Sequence, residues 1–466
     1  MNATPMSSET PSSRNVPSSR EGSGSDLYRA VWRWHFYAGL LVLPFLILLA
    51  VTGGAFLFHT EIDNLWHRDL KVVEIRQTTP LAAGAQLEAA LAARPGTALK
   101  IITPATPDAS SEIVVKTADG ARRSVYVDPY DGRVLGELAD RGTLMWTIRR
   151  LHSLVEFGTI ANGVIEIVAG WSILLVGTGF YLWWPRKQTG GVVSVRGTPG
   201  KRVFWRDLHA VTGAFAGLAI AVMALSGMPW SVFWGEHVNE WANSANYGYP
   251  AGVYDNVPMS DEHLAHANGP TSWSLEQAKM PLSAAPTGHP IGQPIGIDAA
   301  KAIFDGLGVA PGYTLSLPSG AAGVYSAAVY PADLSRQRVV HLDQYSGKPL
   351  IDMSYADYGP AAKAMEWGIN VHMGQEYGLA NQLVLLAVCL AIVLMAVAAG
   401  VMWWKRRPAG SLGVPPAPAD PRAMRGLVLV MALFGLVFPL VGASLLAMLA
   451  LDFAFARRPR RRPRPA

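Results

Sequence analysis

The chain has 466 residues, half of them hydrophobic and only 16% charged, with a formal net charge of +5. A soluble globular domain carries nearer a quarter charged residues, so this is the composition of an integral membrane protein. The lone cysteine, Cys389, excludes intrachain disulfides and thiolate metal sites, and the Lys and Arg residues sit at helix ends, where they set topology rather than marking a nucleic-acid partner.

In chain order, residues 1–27 read as a disordered cytoplasmic tail of Ser, Pro and Gly, with no signal-peptide pattern before the first long span. Residues 28–59 (with WRWHFYAGLLVLPFLILLAVTGGAFLFH at their core) hold an apolar run long enough for a first transmembrane helix. Residues 60–148 read as a small α+β module: a short amphipathic helix in AQLEAALAARPG, then strands SEIVVKT and RRSVYVDP joined through Asp119-Gly120, then the turn DPYDG. Residues 149–187 form a second membrane helix ending in WWPRK, and 188–204 a basic loop. A third helix spans 205–235, a longer α+β module 236–368, and a fourth helix 369–407, again ending in WWKRR. After the loop 408–425 comes the apolar segment 426–456, broken by Pro439, and then a basic tail, 457–466. A hairpin turning at Phe438 and Pro439 is favoured over one kinked span, because it keeps the terminal arginines on the cytoplasmic side. The positive-inside bias of the three basic segments places both modules outside the cytoplasm.

The chain repeats itself. His35 and Gly53 recur as His209 and Gly227, each 174 residues later. His152, Glu156, Gly158 and Trp183 recur as His372, Glu376, Gly378 and Trp403 at an offset of 220, and Asp128, Tyr130 and Gly132 recur as Asp343, Tyr345 and Gly347 at 215. The expected fold is therefore an α-helical membrane protein built from two copies of helix, α+β module, helix, giving a pseudo-two-fold four-helix core with sites between the repeats.

Four of the eleven histidines are singled out by the repeat. His35 and His209 fall at the cytoplasmic lip, His152 and His372 at the outer ends of the second and fourth helices. A lone histidine at a membrane edge is often only interfacial; two pairs at matched positions in a bundle are a functional signal. Paired imidazoles at two levels suit two b-type haems, each iron taking one ligand from each repeat. Neighbouring glycines leave room for a flat macrocycle, and Arg33, Arg206, Arg149 and Arg150 are placed to meet propionates. His59 is an alternative outer ligand, weakened by Phe233 at its repeat position. Glu156 and Glu376 are candidates to orient the imidazoles or meet a cation. Met365 and Trp367 suit core packing better than ligand contact. His237, His263, His266, His289 and His341 lack ligand spacing, although His341 and the 263/266 pair remain candidates for metal or substrate. No nucleotide, nicotinamide or triad motif is present, so no catalytic acid or base is named.

The helices WRWH…AG…TG and RRLHS…G…WWPRK, with their second copies, resemble the PepSY-associated transmembrane helix family. The modules ending in YVDPYDGRVLG and HLDQYSGKPL resemble PepSY domains, the second departing at Gln344, where the first has Pro129. The resemblance covers about residues 28–407. It implies a bacterial inner-membrane protein with periplasmic modules, and a di-haem ferric-siderophore reductase that frees iron for uptake. His35 and His209 would hold the inner haem and His152 and His372 the outer one, with electrons from a cytoplasmic flavin reductase or membrane quinol. Two other classes compete: a cofactor-free regulator or scaffold for an extracytoplasmic protease or transporter, and a permease for iron chelates.

Overall fold

A computed structural model describes residues 19–186, 190–245, 247–249, 259–264, 271–283, 293–416 and 418–456. The first half comprises helices α1 (Ser19–Phe56), α2 (His59–Trp66), α3 (Arg68–Lys71) and α4 (Ala83–Ala93), strands β1 (Thr97–Ile102), β2 (Ser111–Lys116), β3 (Arg122–Val127) and β4 (Val134–Ala139), then α5 (Leu144–Ser153) and α6 (Thr159–Trp183). The second half runs through α7 (Arg202–Gly227), α8 (Trp234–Ser244), β5 (Met259–His263), β6 (Lys279–Pro281), α9 (Ile297–Gly306), β7 (Thr314–Ser316), β8 (Val324–Val329), β9 (Arg338–Asp343), β10 (Pro349–Ser354), α10 (Pro360–His372) and α11 (Gly378–Arg406). Helices α12 (Pro421–Val437) and α13 (Pro439–Ala456) follow.

Among the described residues four helices are long and apolar enough to cross a membrane: Asp26–Phe56, Thr159–Trp183, Arg202–Trp230 and Gly378–Arg406. The protein is a membrane protein, and these helices pack as one bundle. Two boundaries differ from expectation. His152 and His372 do not end the second and fourth spans; they close α5 and α10, short helices of their own. The breaks lie where the backbone turns left-handed, at Leu154 (φ 55°) and Gly158 (φ 89°) in one case and Gly374 (φ 76°) and Gly378 (φ 58°) in the other. The third span likewise stops at Trp230, and α8 restarts under the buried Glu166 carboxylate, which accepts the Phe233 and Trp234 amides at 2.9 and 3.2 Å.

The two extramembrane halves do not fold as separate sheets. Their strands join in one eight-stranded antiparallel sheet, ordered β10-β9-β8-β7-β1-β2-β3-β4, with β1 pairing β7 across the seam. Alternation divides the faces. Ile101, Ile113, Val125, Leu315, Ala327 and Val340 lie in register on one face and are buried under α4 and α9 with Phe304. The next register row, Ala328, Thr314, Ile102, Glu112 and Tyr126, faces the other way. The matched turns hold alike: Asp128 and Asp343 accept the amides of Tyr130 and Tyr345 at 2.9 and 3.0 Å, and Gly132 and Gly347 take φ of 74° and 68°. Gln344, at the departure from Pro129, is buried and donates to the carbonyls of Gly320, Ala321 and Gly323.

Helices α12 and α13 form a hairpin. The Asp26 carboxylate accepts the amides of Ala419 and Asp420, so α12 starts beside the head of α1. After the turn at Phe438, α13 returns along α6, with Leu440 against Gly163 and the Trp171 indole donating to Ser444 at 2.9 Å. The arms approach so closely that a Cβ on Gly435 would lie 2.7 Å from the Gly442 backbone.

His341 is a core residue of β9, 2% exposed, with Nδ1 2.7 Å from the Ser326 hydroxyl, and it joins no group of three or more metal-ligating side chains among the described residues. His266 and His289 lie outside the described residues, as do the tail residues 1–18 and 457–466. Burial lowers the His341 pKa from 6.5 to about 4. Between those values the unfolded chain binds a proton that the folded chain refuses, so stability is full above pH 6.5 and falls as pH drops toward 4, by on the order of 3 kcal/mol. We expect the thermal midpoint to fall through this window and His341→Gln to fall less; equal losses in both proteins would remove His341 from the account.

Candidate functional site

The bundle brings the four repeat-matched histidines together as two pairs. On α1 and α7, the rings of His35 and His209 stand with centroids 6.4 Å apart and planes crossed at 75°. On α5 and α10, His152 and His372 stand 6.4 Å apart, crossed at 85°. Two imidazoles on opposite sides of one metal, each bonded at about 2 Å with the ring centre about 1 Å beyond the nitrogen, have centroids about 6 Å apart. Both pairs meet that spacing.

The hydrogen-bond partners of the four rings match one tautomer. Thr52 Oγ1 donates its only proton to the Leu48 carbonyl at 2.6 Å and lies 2.9 Å from His152 Nδ1. Ser226 Oγ donates to Val222 O at 2.7 Å and lies 2.9 Å from His372 Nδ1. Thr178 Oγ1 donates to Leu174 O at 2.7 Å and lies 2.9 Å from His35 Nδ1. Each hydroxyl can therefore only accept from its histidine. His209 Nδ1 faces the Met395 carbonyl at 3.1 Å, which also only accepts. Each Nδ1 thus faces a group placed to accept its proton, which leaves the lone pair to Nε2, the arrangement of a histidine oriented for metal by its neighbours.

The sequence reading missed these orienting groups. Thr52 and Ser226 share the 174-residue offset and stand beside Gly53 and Gly227; that was the legible signal. The two glycines are needed because an added Cβ would sit 3.2 Å from His152 Cε1 and 3.3 Å from His372 Cε1. Thr178 has Ala398 at its repeat position, and there the backbone of α11 substitutes for the missing hydroxyl.

Glu156 and Glu376 do not orient the imidazoles: Glu156 takes Arg150 (2.6 Å) and Glu376 takes the Asn370 amide (2.6 Å). His59 is not in the outer pair; it stacks on Phe56 at 4.7 Å with Nδ1 on that residue's carbonyl. His237 likewise stacks on Phe233, at 4.2 Å. Of the four arginines, Arg206 joins Arg196 on the fully buried Asp207, Arg150 holds Glu156, and Arg33 donates to Pro415 O at 2.8 Å. Arg149 lies over the Trp146 ring at 4.9 Å, one helical turn before His152. Asp63 fixes the head of α5 by accepting Thr143 Oγ1 (2.7 Å) and the Met145 amide (3.0 Å).

No cluster of three or more His, Cys, Asp or Glu side chains able to hold a bare metal ion occurs among the described residues. A two-imidazole donor set suits instead a metal whose remaining positions are filled by a macrocycle, so the residues present fit haem. From His35 to Thr52 along α1, and equally from His209 to Ser226 along α7, seventeen residues separate the two levels, about 25 Å of helix.

No curated protein matches the chain. The family model for the PepSY-associated TM region matches residues 32–406, which include all four paired histidines; the chain belongs to that family.

Proposed function

We propose that the protein carries electrons through the membrane between two b-type haems and reduces a ferric siderophore held by the extramembrane sheet, releasing iron for uptake. The observation that carries this reading is the pair of 6.4 Å imidazole couples, each Nδ1 facing an oxygen placed to accept its proton. Haem bound between such rings supplies one-electron transfer with no open coordination position. The chain's part is to present Nε2 at two depths, to hold the rings against rotation through Thr178, Met395, Thr52 and Ser226, and to keep bulk away through Gly53 and Gly227. Arg149, half-buried beside Trp146, is the arginine placed to balance charge at the outer pair.

In this reading the two halves of the sheet are a pair of PepSY domains on the periplasmic side of a bacterial inner membrane, related by the pseudo-two-fold axis of the sequence repeat. The basic loops face the cytoplasm, where a flavin reductase would give electrons, or quinol would give them from the membrane. Fe(II) suits hard oxygen ligands less well than Fe(III), so reduction loosens the chelate.

Thr52→Val keeps the shape of the side chain and removes the acceptor for His152 Nδ1. It is expected to weaken retention of the outer haem by about 10- to 100-fold while sparing the inner one. The transfer of haem from detergent-solubilised protein to an apo-globin acceptor measures this. Loss at the same rate from both levels, or no change, would deny Thr52 its orienting role.

A further inference from the structure

A cavity of about 240 Å³ lies between the sheet and α5, lined by residues of both halves. Its floor is the register row Ala328, Thr314, Ile102, Glu112 and Tyr126, crossing the β7–β1 seam. Trp146 and Tyr330 supply aromatic walls beside Tyr126 of the floor, and Lys71, Lys100 and Arg141 line the cavity with two carboxylates, Glu112 and Asp140. Trp146 leads to the outer pair: Arg141 and Arg149 lie over its ring at 5.4 and 4.9 Å, and His152 follows six residues along α5, about 9 Å of helix.

We infer that this cavity binds a single anionic aromatic chelating arm, a catecholate or hydroxybenzoate unit, of the ferric siderophore. The inference rests on the reading that the sheet receives such a chelate. Volume argues for one arm. An apolar cavity of about 150 Å³ accepts benzene, whereas whole drug-sized ligands occupy roughly 300–1,000 Å³. A ring with two or three oxygen substituents fits between those limits, and an intact tris-chelate does not. Charge argues for an anion. Lys100 and Arg141 stand with Glu112 and Asp140 in the lining, Lys71 is shared with Asp63 at 3.9 Å, and Arg149 adds a cation just beyond Trp146 with the Glu276 carboxylate near it. Burial raises the Glu112 carboxyl pKa, so its negative charge against an anion is reduced. Burial also lowers the Lys100 pKa, and a bound anion would restore its charged form. The aromatic walls favour a ring over an aliphatic hydroxamate.

The test is calorimetric titration of the purified full-length protein with 2,3-dihydroxybenzoate, with acetohydroxamate as the neutral, non-aromatic arm. Dihydroxybenzoate is expected to bind, and acetohydroxamate at least about tenfold more weakly. Lys100→Met and Arg141→Gln are each expected to weaken dihydroxybenzoate about tenfold, the loss of one charge-assisted contact. Arg141 lies outside the strands, so that variant keeps the sheet should Lys100→Met fail to fold. Displacement of the free arm by its own ferric tris-complex shows the arm taken as part of a chelate. Absent binding, equal binding of both arms, or binding indifferent to Arg141 would overturn the inference; if the protein still carried haem, the redox reading would stand. Charge-dependent binding by a colourless protein would keep the cavity's assignment and remove the redox one.

Discussion

Replacing His152 with alanine is expected to remove about half of the bound haem and all reduction of ferric chelate, while the inner site keeps its absorption. In the proposed reading the ring would supply one of two nitrogens that hold the outer haem, with the His372 ring centroid 6.4 Å away; His59 is instead stacked on Phe56 and tied to its carbonyl. One remaining imidazole holds a macrocycle far less tightly than two and leaves a position open. The fold should survive, because the head of α5 is fixed by Asp63 and Thr143 rather than by His152. Exogenous imidazole should enter the space left by the ring and restore both absorption and part of the activity. Loss of both haems together, or full activity without His152, would contradict the independence of the two levels.

His35→Ala is expected to give the complementary result. The outer site should still fill and be reduced by dithionite, but electrons from a cytoplasmic or membrane donor should no longer reach it. About 25 Å of helix separates the two levels, so the inner pair is the only entry the geometry offers among the described residues. Stopped-flow reduction separates the steps: chemical reduction of the outer site persists, and donor-driven reduction falls to background. If the physiological donor reduced the variant at the normal rate, electrons would enter from the outer side and the two-level path would be wrong.

How much of this was legible beforehand varies by residue and for stated reasons. The four paired histidines were readable because the repeat marks them, and membrane spans were readable because an apolar run has one solution in lipid. The break between His152 and α6 was not, since a left-handed Leu154 has no composition signal; only Gly158 and Gly378 hinted at it. Thr52, Ser226 and Thr178 were passed over because hydroxyls in an apolar helix usually bond their own backbone, which they also do here. Met395 was unreachable in principle, since its carbonyl rather than its side chain does the work. The joining of both modules into one sheet depends on β1 pairing β7, more than two hundred residues apart, and the short β7 carries no period of its own. Arg150 and Arg206 looked available in sequence; their carboxylate partners Glu156 and Asp207 appear only when the chain is folded.

The most direct measurement is haem quantitation by pyridine haemochrome on full-length protein purified from haem-replete cells, together with the dithionite-reduced minus oxidised spectrum. The account predicts two b-type haems per chain with sharp low-spin bands. A colourless protein, or a single high-spin haem, would contradict it.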